Sequence, residues 1–157
     1  MNPTISEVNL KTSLKKGFRD YFENRDENSI PIMFDKTIDD PYVSGRKGDT
    51  STASEWITIN FVDKHLDDVS IQVVEIFICS RQDPEGLRIE EMVDDVNGFL
   101  FPENKHCTLP FYDVKTEEVI GHIFFHKAKY ADSGIQLAVD GTKFCLMTVP
   151  FKWVASL

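Results

Sequence analysis

Along "PTISEVNLKTSLKKGFRDYFENR", residues 3–25, apolar side chains recur every three to four positions. Val8, Leu14, Phe18, Tyr21 and Phe22 fall close to one stripe, which predicts a helix; Leu10 lies off that stripe and Gly17 weakens its middle. Thr4 and Glu7 have the spacing of a capping box at its start. "IPIMF" then reads as a short strand. In "EWITINFVDKHLDDVSIQVVEIFICS" the pattern changes to period two. Ile57, Ile59 and Phe61 alternate with Trp56, Thr58 and Asn60, "DKHLDD" reads as a charged turn, and residues 69–80 form a second strand antiparallel to the first. Val73, Val74, Ile76, Phe77 and Ile78 leave little polar on either face, as in a central strand covered on both sides.

The helical period returns after "SRQDPEG". Leu87 or Ile89, then Met92, Val93, Val96 and Leu100 form the apolar stripe, with acids mostly opposite, and Gly98 and Pro102 close the helix. Three further strands are expected in "KHCTLPFYDV", "EVIGHIFFHKAKY" and "TKFCLMTVPFKWVA", with "ADSGIQLAVDG" as the turn before the last. Five to six strands and two helices without β-α-β alternation give an α+β fold: a mostly antiparallel sheet with the helices on one face. Residues 1–157 read as a single domain. Its one long irregular segment, the polar stretch 35–54, is too long for a passive connector.

Composition narrows the function classes. At 157 residues the chain buries roughly 70% of the surface its unfolded form exposes, and twelve phenylalanines promise a well-filled core. The formal charge is −9, with no basic run longer than two residues. Binding to nucleic acid rests on counterion release by Lys and Arg, so gripping DNA is not expected. Cys79, Cys107 and Cys145 form no C-x-x-C pair and sit among apolar residues, as reduced core cysteines of a protein made in a cytoplasm. No leader pattern and no apolar run of membrane-spanning length is present in the sequence, so no membrane role is expected.

The search for chemistry returns no catalytic, cofactor or metal residue. "SRQDPEGLR" has the strand–turn–helix placement of a phosphate cradle but one glycine, with Asp83 and Glu85 where an anion would sit. It reads as a connector. His122 and His126 in "HIFFH" lie on a strand, where four residues separate the rings by ~13 Å, too far for one zinc ion. "GRKGDTST" lacks the K-[ST] step of a P-loop, and Lys47-Gly48-Asp49 is too short to carry an adhesive function. Doubled acids at 39–40, 67–68, 90–91, 94–95 and 117–118 lack the order of a calcium loop.

The order of elements resembles a family. An N-terminal helix, two long strands ending in "IQVVEIFIC", a polar turn, an amphipathic helix and a closing strand "MTVPFKW" with Pro150 are similar to the tail terminator (tail completion) proteins of long-tailed, siphovirus-type bacteriophages. The resemblance covers essentially the whole chain as a pattern, without a diagnostic motif. It implies a tail-tube-like fold and a non-enzymatic virion protein, made in the host cytoplasm and placed at the head-proximal end of the tail. It also implies a homohexameric ring that ends tube polymerisation, with the tail-tube protein and the head connector or neck protein as partners. DNA would pass through without specific binding.

The 35–54 loop is longer than expected of the smaller members. In a ring such a loop can reach across a neighbour, with Tyr42, Val43, Arg46, Lys47 and Asp49 as subunit-interface candidates. Asp67, Asp68, Asp94 and Asp95 are candidates for an acidic lumen that weakly repels DNA. The competing expectation is a monomeric acidic inhibitor or immunity-type protein that occludes a basic partner. A small hydrolase would need a pocket of convergent titratable groups.

Overall fold

Helix α1 (Glu7–Phe18) runs into a single π-helical turn, Arg19–Glu23. Its buried line is Leu10, Leu14, Phe18 and Phe22, each four residues from the last. Two expectations are reversed here: Leu10 is 4% exposed, and Val8 is 66% exposed. Val8 heads a different row, Val8–Thr12–Lys16, whose later members are polar and face solvent. Gly17 has a packing reason. A Cβ there would lie 2.8 Å from Leu109 Cδ1, so its absence lets the helix settle onto the sheet. The Thr4–Glu7 capping pair lies outside the described side chains. The computed structural model describes residues 7–35, 54–66, 69–104, 108–125, 131–138 and 141–155.

Seven strands are present among these residues: β1 (Ile32–Phe34), β2 (Glu55–Leu66), β3 (Val69–Ser80), β4 (Thr108–Tyr112), β5 (Val119–Phe125), β6 (Ala131–Leu137) and β7 (Lys143–Ala155). They form one sheet in the order β1-β2-β3-β7-β5-β4, with β6 also on β7. β1 is parallel to β2 and every other pairing is antiparallel. β5 and β6 lie in line along one side of β7, β5 on its second half and β6 on its first. The fold is therefore α+β on a mostly antiparallel sheet.

Two strand boundaries differ from the pattern. β2 and β3 stay paired out to Leu66 and Val69, so most of "DKHLDD" is ladder rather than turn. Backbone pairing needs no apolar side chains, and the strands outrun the core that the hydrophobic pattern reports. "ADSGIQL" is strand β6, not a turn. Its pairing slips between Asp132 and Ile135, a bulge holding Gly134 at φ +72°, and that bulge hides the alternation.

Both helices lie on one sheet face. Helix α2 (Leu87–Leu100) buries Ile89, Met92, Val96, Phe99 and Leu100; Leu87 is exposed and Phe99 joins the stripe. Phe18 meets Phe99 at 5.2 Å and Phe125 at 6.0 Å between ring centroids, both edge-on, and so ties α1, α2 and β5 together. Ile57, Ile59, Val74, Ile76, Ile78, Met147 and Val149 supply the sheet side of this core. The opposite face carries a smaller cluster of Trp56 and Cys79 with Phe77 and Phe144 against it, so β3 is covered on both faces as expected.

Candidate assembly surfaces

The turn joining β3 to α2 is built to hold the helix. Asp83 accepts the backbone N–H groups of Arg88 at 3.2 Å and Ile89 at 3.0 Å, two donors that the first helical turn would otherwise leave bare. Partial burial pushes its carboxyl up, but those two bonds, with Lys143 and Ser80 nearby, outweigh it and leave the pKa below the ordinary value. Lys143 Nζ donates to the carbonyls of Asp83 and Pro84 at 2.5 and 2.6 Å, clamping the turn to β7. Arg88 grips Glu55 through a fork in which Nη2 lies 2.8 Å from Oε1 and Nε bonds Oε2, and its Nη1 reaches Glu91 at 3.1 Å. Hydrogen bonding to Glu55 is the main reason that the guanidinium holds its proton more tightly than usual. The turn is a clamp that ties the start of α2 to β2 through Arg88 and Glu55 and to β7 through Lys143.

Of the acids expected to line a lumen, the two on α2 have different surroundings. Asp94 is exposed on α2. Asp95, next to it, accepts from Arg25 Nη2 at 2.7 Å, lies 3.3 Å from the Tyr21 hydroxyl, and has a side chain 27% exposed. Arg25 also stacks over the Tyr21 and Phe22 rings at 5.6 Å from each centroid. Asp95 thus fastens α2 to the end of the first helical segment. Asp67 and Asp68, and the interface candidates Tyr42, Val43, Arg46, Lys47 and Asp49, lie outside the described residues. Glu90 and Glu91 join Asp94 as exposed acids along α2, with Glu85 exposed in the turn before it.

The two sides of the sheet beyond β7 end differently. Along β4, α1 supplies side chains to the outward backbone: Tyr112 N–H donates to Ser13 Oγ at 2.8 Å, and Val114 N–H, just past the strand, to Asn9 Oδ1 at 3.0 Å. This explains two buried polar residues on the helix, Asn9 and Ser13, which the sequence pattern passed over. Among the described residues β6 has no such cover. Ile135, Gln136 and Leu137 are all exposed, with Ile135 at 45% and Leu137 at 69%, and exposed Leu87 follows Gly86, whose Cβ would lie 3.3 Å from Ile135 Cδ1. The signal in the sequence was the spacing of Ile135 and Leu137 two residues apart.

Groups suited to chemistry do not converge among the described residues. Cys79 and Cys145 are buried free thiols, and Cys145 donates to Asp132 Oδ1 at 2.9 Å. Burial, then the Asp132 carboxylate, pushes the Cys145 thiol up to about 12, which disqualifies it as a nucleophile near neutral pH. His122 is exposed on β5; His126, His106 and Cys107 lie outside the described residues. A cleft of about 490 Å³ between α1 and the β4–β5 turn is lined by Thr12, Ser13, Lys16, Tyr112, Asp113, Val114 and Glu117. There Ser13 is occupied by β4 and by the Asn9 carbonyl, and Lys16 by Asp20 at 2.8 Å. No three metal-ligating side chains come together among the described residues, and none of their helices is long and apolar enough to cross a membrane. No protein-family model matches the chain, and no curated protein sequence does.

Proposed function

We propose that the chain is a structural virion protein of the tail terminator kind. In this reading it forms a homohexameric ring on the head-proximal end of a phage tail tube, ends its polymerisation and offers a surface for head–tail joining. It works through assembly and without catalysis or a cofactor, with the tube protein and the connector as partners and DNA as a passing cargo. The observation that supports this is the succession of elements. A leading helix, two twelve-residue antiparallel strands, a clamped turn, one amphipathic helix and a long final strand at the centre of the sheet follow the family's order. The exposed acids of α2 are in keeping with a surface that DNA slides past, since they repel phosphate.

The same acids favour a second reading, a monomeric binder that covers a basic partner with α2. Native mass spectrometry stepped through ionic strength separates the two. Six copies of a −9 chain carry about −54, so a ring should gain occupancy as salt shortens the Debye length to ~10 Å at 0.1 M. A hexamer that grows with salt supports the ring. A protein that stays monomeric at every salt, and on mixing with tube tips, removes it.

A further inference from the structure

We draw no further inference here: the strongest candidate, the cleft between α1 and the β4–β5 turn, has Ser13 and Lys16 already engaged by β4 and Asp20 and is left with the acidic pair Asp113 and Glu117, beside which no buried polar side chain without a partner among the lining residues points to a ligand.

Discussion

Replacing Asp95 by Asn should destabilise the protein, and replacing its neighbour Asp94 should not. Asp95 and Arg25 lie 2.7 Å apart with side chains 27% and 25% exposed, so the pair is neither a solvated surface bridge nor fully buried. Exposed pairs contribute about 0.2–1 kcal/mol, and breaking a buried one costs about 3–5 kcal/mol. Asn keeps the shape and one acceptor oxygen, which holds the expected loss to about 1–2 kcal/mol. For a chain of this length that corresponds to a fall of roughly 2–8 °C in Tm. Asp94 is exposed, and Asp94→Asn should stay within about 0.5 kcal/mol. Urea unfolding of both variants, of Arg25→Met and of the Arg25–Asp95 double variant gives the coupling directly. Equal stabilities for the two Asn variants, or a coupling indistinguishable from zero, would refute the assignment of Asp95 to a structural tie. The result bears on function as well. If the ring exists, Asp94 is the acid of this pair whose neutralisation reads the charge of a channel without loosening the fold.

Three other outcomes are expected. Leu10→Ala should cost about 2–5 kcal/mol by urea unfolding, whereas Val8→Ala should stay within about 0.5 kcal/mol; the reverse order would mean that α1 is rotated from the position described. Asp83→Ala should cost about 1 kcal/mol at pH 7. Because its pKa is lowered by folding, that contribution is present above the unfolded value near 3.8 and is lost as pH falls through the folded one. The gap between wild type and variant should therefore close in unfolding curves taken below about pH 4. In a Cys107→Ser background, a thiol reagent at pH 8 should label neither remaining cysteine in the native protein and both in urea. Because the Cys145 pKa is raised by folding to about 12, its neutral thiol contributes stability below pH 9 that is lost progressively between 9 and 12, and Cys145→Ala should lose that part of the alkaline dependence.

Much of this architecture was legible because burial writes a period into the sequence. Ile57, Ile59, Val74, Ile76 and Ile78 alternate as strand residues must, and Met92, Val96 and Leu100 keep helical spacing, so the sheet centre and α2 followed directly. What escaped depends on contacts that leave no period. Leu10 and Val8 are told apart by which row meets the core, and Gly17 by its distance from Leu109. Asn9 and Ser13 are ordinary helix-surface residues until an edge strand lies beside them. β6 has a low strand propensity and a bulge, and its pairing comes from β7 rather than from itself. Of the surface candidates, Asp95 turned out to be engaged because its partner is seventy positions away in the chain.

Asn9 and Ser13 finish one margin of the sheet, so a helix rather than a strand answers for the edge at β4. Stripping α1 of these two side chains would leave the Tyr112 and Val114 N–H groups without those acceptors, and an edge so bared is a template for pairing with another chain. Two hydrogen bonds from one helix thus guard β4 against strand addition.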